Sequence, residues 1–583
     1  MLTQNSGHLR LEGFSNSWQT LAMLTLGIWA FGRDSSAVLV DETSIIAAIE
    51  EEKLSRASGT GGIPRLAVAR CLEQANAKIE NVQIVGFPFR PGISAVREAG
   101  FHFHRSLSGA GPSAWIHSLG QTFRQATQIR QIRGLYDGSG SFLFLDHHLC
   151  HAASAYYTSP FDRALVLTLD ERGDMRSGSL YLAEGEELRL LHPLRFPNSL
   201  GWFFSRVTHL LGLRPRRDEH KVQWLSKDGH PDFAAALRKV FRYNANGLPV
   251  LNTRYLGGGA DEDATFTEAI LGDLGIERRA VASDLQLRAS LARSARDVLE
   301  EIVLSIAERY RKQYSIDSLC VAGGLFLNVF LIRALETRSG FQQVYVQPVA
   351  GNSGGALGAA LLARKRLGRP ACQPLKHLYL GPGFSSGEIK AVLDNCKMIY
   401  KYPPGDEQLF AEASQVLSRD KIVAWFQGRT EFGHRALGNR SILASPFSEY
   451  VIENVNHYIK HREDFHPFAF SVPAEVAPRL FDCSANCRFM ASLGKLKSDA
   501  PRELERFSFE GGQVRVHAVE REANPRFWRL LHKFGERAPA PVLFNTSFNL
   551  FGEPLVCDPR EAIRSFYCAG IDALGIGDFF VIK

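Results

Sequence analysis

Two imidazoles four residues apart, His147 and His151, form a pair whose type and spacing could bind a metal. They follow the apolar run 141–145, which reads as a short buried strand, and lead into a small-residue run, 152–157, which reads as helix. If the helix begins near His147, the two rings share one face. There they could bind one divalent cation, with one or two more ligands supplied from elsewhere. The same residues also suit a plain strand-to-helix turn rich in capping groups. A zincin-type peptidase is the weaker reading, because His148 stands where that motif needs a Glu.

A second chemistry is written in arginine. Arg429, Arg435 and Arg440 lie within twelve residues, interleaved with glycines and Thr430, just past the apolar run 422–426. Guanidinium forks match the oxygens of phosphate or carboxylate, so this is the composition of an anion pocket. Lys460 and Arg462 follow, and a later strand at 543–549 ends in polar groups that include Asn545 and Ser547. A solvated basic face is the alternative. Two further strand–glycine–helix units lie in the window 319–358. One carries Gly323, Gly324 and Asn328; the other carries Asn352, Gly354 and Gly355. Glycines let a backbone approach a ligand closely, and a helix N-terminus favours an anion, so phosphate or adenosine is the expected occupant.

The elements that must position these groups fall into two sets. A strand–polar turn–strand unit spans 24–40, with Arg33 and Asp34 in its turn. A similar unit spans 164–182, with Asp170 in its turn, about 135 residues further on. Such a repeat suggests a duplicated, two-lobed fold that holds a nucleotide between its lobes; two unrelated hairpins are the alternative. The stretch 368–374 reads as a linker. The expected organisation is an N-terminal extension over 1–23, a two-lobed domain over 24–367 and a second α/β domain over 376–583. The irregular segment 87–138, with His102 and His104, is where specificity for a second substrate is expected.

Composition sets bounds. The 583 residues are 45% hydrophobic and 22% charged, with a formal charge of +7, which suits an anionic substrate. No dense Lys/Arg block argues for nucleic acid. Nine scattered cysteines give no disulfide framework, and Cys483-x-x-x-Cys487 has no second pair to complete a zinc site. No apolar run reaches the roughly 18 residues of a membrane span, and residues 1–23 lack the pattern of a signal peptide. A cytoplasmic protein is expected.

Taken in order, these segments resemble the nodulation-type O-carbamoyltransferase family. The resemblance rests on Glu50-Glu51-x-x-x-Ser55-Arg56, Asp146-His147-His148-x-x-His151, Thr168-Leu169-Asp170, Glu219-x-Lys221, Ala322-Gly323-Gly324 with Asn328, and Ser353-Gly354-Gly355. In the second domain it rests on Gly428-Arg429-x-Glu431-Phe432-Gly433-x-Arg435, Lys460-x-Arg462-Glu463, and Asn545-Thr546-Ser547-Phe548-Asn549. The resemblance implies an actin-like (ASKHA) ATPase domain followed by a YrdC-like α/β domain. It implies that carbamoyl phosphate and ATP, with Mg²⁺, give carbamoyl adenylate, and that the carbamoyl group passes to a small-molecule hydroxyl. It further implies a divalent metal, Fe²⁺ in the family, on His147, His151, Asp170 and the Asn352 position. Arg435, Lys460 and Arg429 would be catalytic. Arg462, Asn545, Ser547, Gly323, Gly324, Asn328, Gly354 and Gly355 would bind cofactor. No nucleic acid or membrane partner is implied, and a homo-oligomer is left open.

The chain also departs from the family pattern. Arg33 replaces a His, Ser58 a Lys, Asn352 an Asp and His434 a Pro. The first three fall at the transfer site. They leave two alternatives: an adenylating enzyme with a diverged transfer step, or a silent nucleotide-binding partner protein.

Overall fold

The computed structural model describes residues 23–30, 33–59, 61–90, 127, 129–134, 136, 140–256, 265–450 and 453–583. The expected extension up to residue 22, and most of the segment around His102 and His104, lie outside the described residues.

Alternating and continuous apolar runs build two sheets of one design. In the first, β1 (Leu24–Trp29), β2 (Ser36–Val40) and β3 (Ile45–Glu50) form an antiparallel meander. Strands β4 (Val82–Phe87) and β5 (Ser141–Phe144) then add in parallel beside β1, giving the order β3-β2-β1-β4-β5. The second sheet repeats this with β6 (Arg163–Gly173), β7 (Arg176–Glu184) and β8 (Glu187–Arg195). A small hairpin, β9 (Phe241–Tyr243) and β10 (Pro249–Leu251), intervenes before β11 (Ser318–Ala322) and β12 (Gln343–Val346). The order β8-β7-β6-β11-β12 and the strand directions match those of the first sheet. Two lobes with the same 3-2-1-4-5 order are the duplicated actin-like architecture. Strand β6 runs past the predicted end at Leu169, through a register irregularity between Leu169 and Gly173. That bulge re-aims the Asp170 side chain.

The helix His147–Tyr156 follows β5, and the helix Asn352–Arg366 follows β12. Their small residues, Ala152, Ala153, Ala356 and Ala360, belong to one core with the β6 residues Leu165 and Leu167. Small side chains let helix and sheet approach closely, which fixes the ring positions of the histidines.

The third sheet is mixed. Its strands are β13 (Val423–Phe426), β14 (Arg440–Ala444), β15 (Ala469–Pro473), β16 (Phe481–Asp482), β17 (Leu493–Leu496), β18 (Gln513–Val519), β19 (Leu543–Ser547), β20 (Ala573–Ile576) and β21 (Phe579–Ile582). They lie in the order β16-β17-β18-β15-β19-β14-β13-β20-β21, with β13/β20 and β15/β18 parallel. Neighbouring residues of β13 serve different cores: Val423 and Trp425 pack with Phe410, Leu530 and Phe534, whereas Ala424 and Phe426 pack with Ile389, Ile563 and Phe566. Helices therefore cover both faces, the layering of an α/β domain.

The two halves meet at an edge. Strand β3 ends the first sheet, and its free backbone groups would otherwise be exposed. Instead Ala48 N–H donates to the Leu380 carbonyl at 3.0 Å, and the Arg429 guanidinium donates to the Ile46 carbonyl at 2.9 Å. No helix among the described residues is long and apolar enough to cross a membrane.

Candidate active site

Asp146 opens the helix at His147 by accepting from Leu149 N–H at 3.0 Å. Asp174 then accepts from His147 N–H at 2.9 Å. This turns both rings onto Asp170. His147 Nε2 and His151 Nε2 each lie 3.2 Å from the same Asp170 Oδ2, and one ligand atom from each residue falls within 4.8 Å of the others. Glu171 N–H holds the other carboxylate oxygen at 2.7 Å. The His147 ring packs edge-on to Trp29 at 5.3 Å. Across from it, a Cβ on Gly173 would come 2.1 Å from His147 Cδ2, so that position admits no side chain.

Burial opposes charge on all three groups. For Asp170 the two histidine hydrogen bonds outweigh burial, and its carboxyl sits well below the usual carboxylate range. For His147 burial is outweighed by Asp170, Asp174 and Asp146, and its pKa is raised. His151 is lowered, because burial dominates there. The buried Nδ1 of His151 has no hydrogen-bond partner. Two imidazole nitrogens and one carboxylate oxygen converging in this way fit a first-row divalent cation with open positions.

Around this cluster, Asp34 has a left-handed backbone (φ 66°) and a carboxyl pushed up to about 6, first by burial and then by Glu52 and Glu50. The Arg33 carbonyl accepts from Trp29 Nε1 at 2.9 Å and from the Asn352 amide at 3.4 Å. The Arg33 guanidinium reaches across to the Arg216 carbonyl in the second lobe. Gly324 lies against the Asp170 carboxylate, 3.1 Å from a hypothetical Cβ, and Gly323 turns with φ 104° beside Leu169.

The second cluster lies where the third sheet faces the actin-like lobes. The loop between β13 and β14 is wrapped around Glu431, whose Oε1 accepts from Leu437, Asn439 and Arg440 N–H at 2.8, 2.9 and 3.2 Å. Arg440 is fully buried over the Phe426 ring and donates to loop carbonyls, including that of Gly428 at 3.1 Å. These two residues build the loop. Arg435 is what the loop presents: among the described residues it has no hydrogen-bond or ion-pair partner, and burial holds it down to about 10. Arg462 Nε donates to Asn456 Oδ1 at 2.6 Å, its Nη2 is buried without a partner, and burial also takes it to about 10. Lys460 donates to Asn549 Oδ1 at 2.7 Å and to the Ser547 carbonyl; burial, then Arg462, hold its ammonium well below the ordinary lysine range. Arg515, on β18, is depressed by burial and by the charges of Arg435 and Arg462. His434 is held well below the ordinary imidazole value, first by desolvation and then by the charges of Arg435, Arg515, Lys53 and His220. Glu463, the acid beside Arg462, is taken by Lys221 of the actin-like half at 2.7 Å. Buried cations that repel one another and lack carboxylates call for an anionic ligand.

Several predicted residues thus fall into one of two groups. His147, His151 and Asp170 come together, as do Arg435, Lys460, Arg462 and Ser547. Asn545 supports the second group by donating to the Ala436 carbonyl at 3.1 Å, next to Arg435. Arg429 needs correction. Expected in the anion pocket, it is spent on the carbonyls of Gly381, Ile46 and Leu380, where it ties the two halves together. Asn328 Oδ1 caps the helix Val329–Arg338 at 3.1 and 3.3 Å, with its amide nitrogen buried and unpartnered. Gly354 is required by packing, since a Cβ would meet the Val349 carbonyl at 2.0 Å; Gly355 faces Trp29 and His151. Arg515 and His220 escaped the sequence reading. Arg515 sits in an alternating strand, where a charged residue reads as solvent-facing.

Two family models match the chain: "Carbamoyltransferase N-terminus" over residues 24–361 and "Carbamoyltransferase C-terminus" over residues 414–583. An uncharacterised protein of Synechocystis sp. is 32% identical, with 96% of each chain covered. Nodulation protein NolNO of Sinorhizobium fredii is 30% identical, covering 95% of this chain and 79% of its own. Nodulation protein NolO of Bradyrhizobium diazoefficiens is 32% identical, covering 75% and 79%.

Proposed function

This chain belongs to the carbamoyltransferase family, and from that premise we propose that it uses carbamoyl phosphate and ATP to form carbamoyl adenylate and passes the carbamoyl group to a hydroxyl of a small molecule. The observation that carries the proposal is the unpartnered Arg435 guanidinium among Arg462, Arg515 and Lys460, at the junction with a two-lobed actin-like fold.

Carbamoyl phosphate is a compact dianion, and Arg435, Arg462 and Arg515 supply the charge it would neutralise. Water attack releases phosphate and carbamate, and these fixed cations offset the charge on the departing phosphate. The carbamate oxygen then attacks the α-phosphorus of ATP, with Mg²⁺ on the nucleotide, and pyrophosphate leaves. The acceptor hydroxyl attacks the carbamoyl carbon, AMP leaves and the hydroxyl proton is lost. Arg33 and Lys221 cross between parts of the cleft and would help keep the intermediate from water. His147, His151 and Asp170 would hold a divalent metal, which when bound polarises a carbonyl as a Lewis acid.

One observation favours a second reading. The Arg33 guanidinium is anchored to the Arg216 carbonyl while the Arg33 carbonyl accepts from Asn352; an acceptor other than a simple hydroxyl compound, or a diverged transfer step, would follow. Both readings are tested by incubating the protein with ATP, Mg²⁺ and carbamoyl phosphate without acceptor. Release of phosphate and pyrophosphate that needs both substrates supports adenylate formation. Phosphate without pyrophosphate rejects it, and release of neither rejects both readings.

A further inference from the structure

Strand β3 and the short helix after it (Glu51–Ser55) reach the anion-pocket loop through two buried, oppositely charged side chains. Lys53 Nζ lies 2.7 Å from Glu50 Oε2 and donates to the carbonyls of Glu431 at 2.8 Å and Gly433 at 2.6 Å. Glu50 Oε1 accepts from Gly433 N–H at 2.6 Å. Both side chains are almost fully removed from solvent, and Gly433 has φ 102°, a conformation unfavourable to other residues. Gly433 is thus bonded at both its N–H and its carbonyl, two residues before Arg435. Glu431, whose carboxylate wraps the rest of the loop, is bonded at its carbonyl by the same ammonium.

A buried ion pair is a poor stabiliser compared with apolar packing, so its presence here calls for another purpose. The geometry supplies one. An unpartnered guanidinium can hold an anion well only if its backbone is fixed to within a fraction of an ångström. The loop cannot fix itself from the pocket side, where like charges repel. We infer that Glu50 and Lys53 are positioning residues for Arg435. They clamp the Glu431–Gly433 turn onto the first actin-like lobe, so that the anion pocket and the His147/His151/Asp170 cluster are held as one unit. Glu50 also lies close enough to Asp34 to raise its carboxyl, which sets the clamp next to the transfer site. The clamp is formed by residues from both halves, so neither half alone would contain a properly set pocket. The chemistry being positioned is phosphate recognition, and the inference rests on the reading that carbamoyl phosphate is cleaved at Arg435.

The test is steady-state phosphate release from carbamoyl phosphate by the full chain, with thermal unfolding followed in parallel. Lys53→Met keeps the length of the side chain and removes its three donors; it is expected to raise the KM for carbamoyl phosphate at least tenfold while kcat falls less than threefold. Lys53→Arg can donate to the same carbonyls and should bring KM back to within threefold of the unaltered protein. Glu50→Gln keeps an acceptor for Gly433 N–H but removes the charge, and a rise in KM of about threefold is expected. If Lys53→Met does not fold, Glu50→Gln and Lys53→Arg decide the matter by the same values. An unchanged KM, or a fall in kcat alone, reduces the pair to a structural tie and overturns the inference. If the unaltered protein releases no phosphate from carbamoyl phosphate, the reading beneath it falls as well, and that result differs from all the others.

Discussion

The two clusters balance their charges in opposite ways. In the actin-like half, His147 Nε2 and His151 Nε2 share one oxygen of Asp170, so the donor set is preformed and balances its own charge. In the third-sheet half, burial depresses Arg435, Arg462 and Arg515, the charges of the first two depress Arg515 further, and the acid beside Arg462 is occupied by Lys221. A balanced cluster can keep its shape while empty. An unbalanced one is held by the rest of the fold against its own repulsion, and binding of an anion relieves that repulsion. The difference is the one expected between a site that would hold a cation and one that would hold a phosphate.

The comparison breaks most visibly at Arg435. Arg435→Ala should lower phosphate release from carbamoyl phosphate by 100-fold or more, while leaving thermal stability unchanged or slightly raised, because an unpaired buried charge is removed. A large fall in stability with modest loss of activity would make Arg435 part of the framework. On the other side, His147→Ala should cost at least tenfold in affinity for a divalent metal and abolish carbamoyl transfer. Phosphate release should persist, which metal analysis and separate product assays would show.

Arg429 sharpens the contrast between pocket and framework. Because its guanidinium joins Ile46, Leu380 and Gly381, Arg429→Ala should destabilise the chain by about 1–3 kcal/mol and affect phosphate release far less than Arg435→Ala. The smallest effect on activity is expected from His517, which burial holds down to about 3 while it meets Ser471 at 3.0 Å. An unfolded chain takes up this proton below about 6.5 and the folded one does not. Stability from His517 is therefore present above that value and is lost as pH falls toward 3, at up to roughly 1.4 kcal/mol per pH unit. His517→Gln should flatten that part of the stability profile, as read by denaturant unfolding between pH 4 and 7.

Much of this was legible in the sequence, for physical reasons. The repeated strand–turn–strand units foretold the duplicated lobes, because short apolar runs broken by polar turns fix strands and register together. The histidine pair was legible because a helix face makes spacing geometric. Glycine-flanked arginines after β13 flagged an anion pocket, yet composition could not say which arginine faces the ligand. Arg429, Arg435 and Arg440 look alike in sequence, but only Arg435 was left without carbonyl partners by the loop's winding around Glu431. The alternation of β18 hid Arg515, and the clamp of Glu50 and Lys53 joins residues about 380 positions apart, beyond the reach of any local pattern.

The most direct test of the central claim is calorimetric titration of carbamoyl phosphate into the unaltered protein and into Arg515→Ala. Arg515 is the residue that the structure, and not the sequence, brought to the pocket. Saturable binding to the unaltered protein and at least tenfold weaker binding to the variant are expected. Equal affinity for the two would show that the cation cluster is not where carbamoyl phosphate is held.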